Sequence, residues 1–179
     1  MVQALKNDRR WGTSKDRAAP LAMTVKTKIE RGDRYSAPEI YNLEITVLEV
    51  LRGKGTQKLK RSEGASEPDL KTGFEPLFVH IRFGYFSKGR GFGQLNEPYE
   101  IPERGFVAVS GDGKTEYKPL LLLSQPQPRL IHMVISPGEI KEGWVALQVP
   151  EKQNESFLIF KRDYNKNSYG FWGPVWFRL

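Results

Sequence analysis

The sequence contains no cysteine and only two histidines among its 179 residues. Without thiols the chain cannot form a disulfide, hold a metal through sulfur or use a cysteine nucleophile. The two histidines, His80 and His132, stand far apart and form no metal-binding motif, so the sequence predicts neither a metal nor a cofactor. The lack of cysteine leaves the redox compartment open.

Long apolar runs and helical patterns are also missing. The longest apolar run, residues 120–123, is far below the roughly 20 residues that a membrane helix requires. Residues 1–10 lack the apolar segment of a secretory signal. We therefore expect no transmembrane segment and no signal in this chain. No window keeps helical spacing without a glycine or proline, which argues against a helical domain.

Short alternating segments are what the sequence has instead. Residues 77–85 give the clearest period of two, with five apolar side chains on one face of a predicted strand. In residues 43–50 the alternation shifts by one position at Leu48, as a β-bulge requires. The dipeptide Asp112-Gly113 predicts a hairpin turn, because it accepts positive φ angles. Seven to nine such strands predict an all-β fold, a two-sheet antiparallel β-sandwich.

Composition and charge divide the chain into a tail and one domain. Residues 1–20 are polar and aperiodic, and we interpret them as a flexible basic tail or linker, with Trp11 as their one large apolar side chain. Residues 21–179 form the predicted sandwich. Residues 1–34 hold nine Lys/Arg and four Asp/Glu, so most of the net charge of +7 lies near the start. A nucleic-acid-binding domain usually carries its basic patch on the folded surface, so we expect no nucleic-acid partner.

No motif in the chain predicts catalysis. No serine stands in a Gly-x-Ser-x-Gly elbow. The glycine-rich residues 89–93 lack the Lys-Ser or Lys-Thr of a nucleotide loop, and Gln94 replaces an aromatic that an RNA-binding strand needs. Several carboxylates stand close in sequence and allow a glycoside hydrolase, although a solvated surface is the simpler interpretation: Glu97, Glu100, Glu103, Glu139 and Glu142.

Five phrases, in this order and spacing, carry a resemblance: residues 43–53, 73–83, 106–113, 137–147 and 149–160. Together they resemble a bacterial family of immunoglobulin-like domains of unknown function, which is related in fold to a mycobacterial secreted immunoprotective antigen. The resemblance covers residues 41–160 and implies an immunoglobulin-like sandwich outside the cytoplasm, without enzymatic activity. The family is usually secreted or lipid-anchored, whereas this chain carries neither a signal nor a lipid-accepting cysteine. Residues 164–179 have no counterpart in it.

Two groups of aromatic residues need an interpretation. Trp144 enters a predicted strand after Glu-Gly, and we expect it to anchor the core between the two sheets. The C-terminal residues are richer in rings than one strand requires. We take Tyr169, Phe171 and Trp172 as a candidate ligand-binding platform, typical of sandwich domains that bind glycans. The alternative is that Trp176 and Phe177 belong to a last strand that closes the core.

The sequence thus favours a non-catalytic binding or adhesion module at the cell envelope, outside the cytoplasm. Its expected partner is a protein or a surface polymer. A carbohydrate-binding module that uses the C-terminal aromatics is the alternative, and a glycoside hydrolase-type enzyme is a third hypothesis.

Overall fold

The computed structural model describes residues 11–31, 39–59, 70–88, 97–117, 119–120, 126–161, 170–171 and 173–179. These residues form ten strands: β1 (Thr24–Arg31), β2 (Glu39–Arg52), β3 (Phe74–Ser87), β4 (Tyr99–Glu100), β5 (Phe106–Ser110), β6 (Val134–Ile135), β7 (Glu139–Pro150), β8 (Ser156–Phe160), β9 (Gly170–Phe171) and β10 (Val175–Arg178). Two short 3₁₀ helices, Lys15–Arg17 and Gly53–Lys58, accompany them.

The strands pair in three antiparallel sheets. The largest has the order β7-β3-β2-β1-β9, the second has the order β10-β8-β5, and the third joins β4 to β6. Strands β1, β2 and β3 follow one another as a meander, because each pairs with the next. The prediction of an all-β antiparallel sandwich is confirmed.

One apolar core lies between the five-stranded and the three-stranded sheet. Strand β3 contributes every second side chain from Leu77 to Tyr85, and all of these are buried. At the centre, the ring of Phe83 lies 6.4 Å from that of Phe106 and 5.6 Å from that of Phe160, which belong to the opposite sheet. Burying each such ring stabilises the fold by roughly 1.5–3 kcal/mol.

Two local predictions are confirmed. The pairing of β2 with β3 shifts register between Val47 and Glu49, so the bulge lies at Leu48 as the sequence indicates. At the turn after β5, Gly113 has a φ of 76° and donates its N–H to the carbonyl of Ser110 over 2.7 Å. The backbone N–H of Lys114 donates to the Asp112 carboxylate over 3.0 Å, which explains the choice of Asp before Gly.

The placement of Trp144 corrects the sequence interpretation. Its side chain is buried, with 6% exposure, but it lies on the outer face of the five-stranded sheet and not between the two sheets. There it packs with Phe78, Leu120 and Ala146. The reason is that β7 is buried on both faces: Val145 faces the inner core, and the neighbouring Trp144 must face the opposite way.

The second half of the predicted tail packs on the sandwich. Ala19 forms a parallel bridge with Phe177 of β10, and both residues are fully buried. Gly12 accepts a hydrogen bond from the N–H of Trp176 over 2.9 Å, and Trp11 packs against the core. A side chain at Gly12 would collide with Val25, at 2.7 Å. Residues 11–20 therefore cover the edge of β10, whereas residues 1–10 lie outside the described residues.

Candidate functional site

The structure describes only part of the predicted aromatic platform. Tyr169 and Trp172 lie outside the described residues, and Phe171 lies in β9, where its backbone pairs with Ile29. Further along, Phe177 is buried in the core, as expected for a last strand that closes it. Trp176 faces the other side of that strand and lies half-buried against Phe157, at 6.0 Å between ring centroids. The platform therefore stays a prediction.

Three tyrosines and one arginine meet where β1 ends and β2 begins. We call Arg31, Tyr41, Tyr85 and Tyr99 the tyrosine end. The rings of Tyr41 and Tyr85 stack at 4.6 Å with an angle of 20° between their planes. Tyr99, at the start of β4, lies 5.5 Å from Tyr85. Because Tyr41 and Tyr85 are fully buried, most of this ring cluster belongs to the body of the sandwich.

Hydrogen bonds engage the polar atoms of the tyrosine end. Arg31 donates from Nη1 to the carbonyl of Pro98 over 2.8 Å and to the hydroxyl of Tyr85 over 3.3 Å. Its Nη2 lies 3.4 Å from the Glu97 carboxylate. Tyr85 donates to the backbone carbonyl of Glu97, and Tyr41 donates to the Glu39 carboxylate. Arg31 therefore links residues 97–98 to the sheet through these contacts.

The two buried phenols are held in their protonated form. Burial raises the pKa of Tyr41 above its ordinary value, and the bond to the Glu39 carboxylate raises it further. Burial also raises the pKa of Tyr85, against the opposing effect of Arg31. A general base needs a pKa near the working pH, and these shifts move both groups away from it. The tyrosine end therefore acts as a rigid support and not as an acid–base centre.

A second region lies on the outer face of the five-stranded sheet. We call Arg129, Trp144, His80, Arg82 and Glu142 the tryptophan face. His80 of β3 is the direct partner of Trp144 in β7, and their rings stack at 4.7 Å with an angle of 14°. In the neighbouring row, Arg82 pairs with Glu142 over 2.7 Å. Glu142 also has a carboxylate oxygen 3.9 Å from Nε2 of His80.

Residues 128–130 extend this face beyond the edge of β7. The N–H of Trp144 donates to the carbonyl of Pro128 over 2.8 Å, and the N–H of Leu130 donates to the carbonyl of Trp144 over 3.0 Å. A Cβ atom at Gly143 would stand 2.9 Å from both the Leu130 nitrogen and the Pro128 oxygen. Glycine is therefore required at this position, because any side chain would push the added segment away.

Arg129 faces outward from the sheet. It forms a parallel bridge with Trp144, so the two side chains share one face of the sheet. The neighbouring Leu130 is fully buried in the inner core, which agrees with an outward Arg129. The Nε atom of Arg129 is buried, and among the described residues it meets no hydrogen-bond acceptor. An unpaired buried N–H of this kind costs about 1–3 kcal/mol.

The carboxylates that allowed a hydrolase are engaged separately. Glu97 lies beside Arg31, Glu100 bonds to His132 over 2.8 Å, and Glu142 pairs with Arg82. Glu139 accepts the backbone N–H of Ser136, which holds the pKa of its carboxyl below the ordinary value. A general acid needs the opposite shift. Among the residues that the structure describes, no group of three or more His, Cys, Asp or Glu residues could hold a metal ion.

Sequence reasoning missed both regions. Arg31 and Tyr85 are 54 positions apart, and Arg129 and Trp144 are brought together only by backbone pairing. Part of the tryptophan face could have been found from the sequence, because the alternation in residues 77–85 places His80 and Arg82 on the side of the strand opposite the core. No local pattern identifies Arg129.

Comparison with protein-family models, with curated proteins and with solved structures gave no match to this chain. In the described part of the chain, no helix combines the length and the apolar character needed to cross a membrane.

Proposed function

We propose that this protein is a non-catalytic binding module that acts outside the cytoplasm, at the bacterial cell envelope, on a surface polymer or a protein. The observation that carries the proposal is the outward-facing Arg129 on the tryptophan face, whose buried Nε meets no hydrogen-bond acceptor among the described residues. Burying a charged group without a partner is costly, and sites that bind ligands commonly bear such a cost. The resemblance of residues 41–160 to exported immunoglobulin-like domains supports the same location.

The state of the other titratable groups also favours binding over catalysis. The raised pKa values of Tyr41 and Tyr85 and the lowered pKa of Glu139 all move away from neutral pH. Catalytic acids and bases are normally shifted toward it. The candidate sites thus offer stacking surfaces and hydrogen-bond donors, which suit recognition.

The basic start of the chain suits an anionic surface. Residues 1–34 carry an excess of five positive charges over negative ones. Each basic side chain close to an anionic surface contributes about 1 kcal/mol at most, and salt screens this attraction. Residues 11–20 pack on the sandwich, so the test of the charge uses basic residues within 1–10, which lie outside the described residues.

The proposal is tested by sedimentation with isolated bacterial envelope fragments. The wild-type protein is expected to sediment with the fragments, and less so as salt is raised. Replacing Lys6, Arg9 and Arg10 by Gln should weaken binding without changing the melting temperature. A control with the same charge change replaces Lys54, Lys58 and Lys152, which are exposed, and should bind more nearly like wild type. Absence of sedimentation at low salt with all envelope preparations would refute the proposal.

A carbohydrate-binding module remains the second candidate. Phe171 pairs through its backbone with Ile29, which is two residues from Arg31, so its strand adjoins the tyrosine end. Replacing Trp172 by Ala should abolish retention on a glycan matrix and leave the melting temperature within a few degrees of wild type. Unchanged retention would exclude Trp172 from a glycan site, and a collapse of stability would assign the ring to the core instead.

A further inference from the structure

We propose that Arg129 is the recognition point for an oxyanion, a carboxylate or a phosphate, carried by the surface polymer. This inference rests on the proposed function and specifies the chemistry of its ligand. A guanidinium presents a planar fork of N–H donors that matches carboxylate and phosphate oxygens, and it stays charged at any physiological pH. Arg129 has such a fork on the outer face, with its Nε unpaired within the described part of the chain.

The surroundings of Arg129 favour an anion over a cation or a neutral group. Across the sheet, Arg129, Trp144 and His80 are consecutive partners in one row, and the acidic side chain of that row, Glu49, pairs with His80 on the side away from Trp144. The nearest acid described in the neighbouring row, Glu142, is engaged by Arg82 over 2.7 Å. The positive charge of Arg129 is therefore not neutralised by a described neighbour, and an incoming oxyanion would meet a net attraction.

The position of Arg129 is held firmly by its backbone. The bonds from Trp144 to Pro128 and from Leu130 to Trp144 flank it on both sides, and Gly143 allows the close approach. The rings of Trp144 and His80, which follow Arg129 in the same row, stack at 4.7 Å. Preorganisation of this kind reduces the entropy that binding would otherwise cost. Because residues 128–130 lie at the rim of the sheet, an extended polymer could reach the guanidinium without entering a cavity.

The comparison with Arg31 shows that this chain supplies hydrogen-bond acceptors to an arginine that has a structural role. Arg31 has acceptors from Pro98, Tyr85 and Glu97. The segment of Arg129 is bonded to β7 through Pro128 and Leu130, yet the buried Nε of Arg129 has no acceptor among the described residues. The difference points to a partner that comes from outside the chain.

The test follows the Nε–H signal of Arg129 by 15N NMR, with the signal assigned by its loss in Arg129→Gln. The full chain is titrated with polygalacturonate, which presents carboxylates, and with polyphosphate, which presents phosphates. The Nε–H signal is expected to shift with one or both polymers, and the response identifies the source of the oxyanion. Arg129→Gln should weaken polymer binding about tenfold or more, since it removes a charge-assisted hydrogen bond. Arg178→Gln, an exposed position on β10 with the same charge change, should bind as wild type does.

The outcomes separate this inference from the proposed function. If wild-type protein sediments with envelope fragments and Arg129→Gln sediments equally well, the oxyanion site is refuted and the binding function stands. If neither polymer shifts the Arg129 signal at low salt, the site is refuted as well, even if the variant fails to fold. If a polymer shifts the signal but wild-type protein does not sediment with the envelope, the site stands and the envelope function is refuted.

Discussion

The tyrosine end and the tryptophan face both combine aromatic rings with an arginine, yet they use the arginine differently. Arg31 at the tyrosine end is surrounded by oxygen acceptors, and the phenols around it are buried and protonated. Arg129 at the tryptophan face has a buried Nε without an acceptor in the described residues. The contrast teaches that rings and charges alone do not identify a binding surface in this chain. The two regions differ in whether the arginine meets acceptors, and our proposal for Arg129 depends on that difference.

The largest expected loss of stability comes from replacing Gly143, where residues 128–130 approach the tryptophan face. Gly143→Ala places a methyl group 2.9 Å from two backbone atoms of residues 128–130, which cannot move aside as a flexible side chain would. We expect the free energy of unfolding to fall by about 3 kcal/mol. Urea titration measures this, and Gly55→Ala is the control, since a Cβ at Gly55 meets nothing within 4 Å. Equal stability of the two variants would show that residues 128–130 are not fixed to β7.

The direct comparison replaces each arginine by methionine. Arg31→Met removes the bonds to Pro98 and Tyr85 and should lower the free energy of unfolding by about 2 kcal/mol. Arg129→Met removes a buried N–H that has no acceptor in the described structure and should raise the free energy of unfolding by about 1 kcal/mol. Both values come from the same denaturation series. A large loss for Arg129→Met would mean that its guanidinium has a structural partner, and the distinction between the two regions would fail.

A smaller effect tests whether an unsatisfied group by itself indicates function. Thr27 lies on the core side of β1, and its hydroxyl has no partner in the described structure. It is buried away from any outer surface, so we assign it no binding role. Thr27→Val should raise the free energy of unfolding by about 1 kcal/mol, because it removes a buried unpaired hydroxyl. Thr46→Val is the control: Thr46 bonds to the Thr24 hydroxyl over 2.8 Å, and its loss should not stabilise.

The smallest expected effect is the loss of stability that the buried tyrosines cause at alkaline pH, and it is absent at neutral pH. Unfolded tyrosine loses its proton near pH 10, whereas burial raises the pKa of Tyr41 and Tyr85 in the folded protein. The folded state therefore keeps phenolic protons that the unfolded state releases. Stability from this source is fully present below about pH 10 and falls as the pH rises further. Denaturation at pH 9 and pH 10.5 measures the fall, which should be less steep in Tyr85→Phe. An equal loss of the free energy of unfolding in the wild type and in Tyr85→Phe would contradict the raised pKa of Tyr85.

The fold was predictable where local pattern and tertiary packing agree. The alternation in residues 77–85 marks the core face of β3, Leu48 marks the bulge, and Asp112-Gly113 marks the turn, each from neighbouring residues alone. Trp144 was misplaced because residues 143–149 are buried on both sides, and alternation does not say which side is the interior. The packing of residues 11–20 had a weak apolar signal, Trp11, because Ala19 is held largely by backbone bonds to β10.

The candidate site was less predictable than the fold. His80 could be placed on the outer face from its strand, but its stacking on Trp144 depends on which strand pairs with β3. Arg129 depends on a segment that joins the edge of β7 in parallel, and no spacing in the sequence encodes that contact. Family membership, export and the roles of Tyr169, Phe171 and Trp172 stay predictions.

The contact of residues 12–19 with β10, which includes a parallel bridge between Ala19 and Phe177, has a mechanical consequence. Three backbone hydrogen bonds join Gly12 and Ala19 to Trp176 and Arg178, and the two segments run in the same direction. If the chain were stretched from these two segments in opposite directions, the bonds would be strained in shear and would have to break together. Such an arrangement resists pulling better than a hairpin that opens one bond at a time.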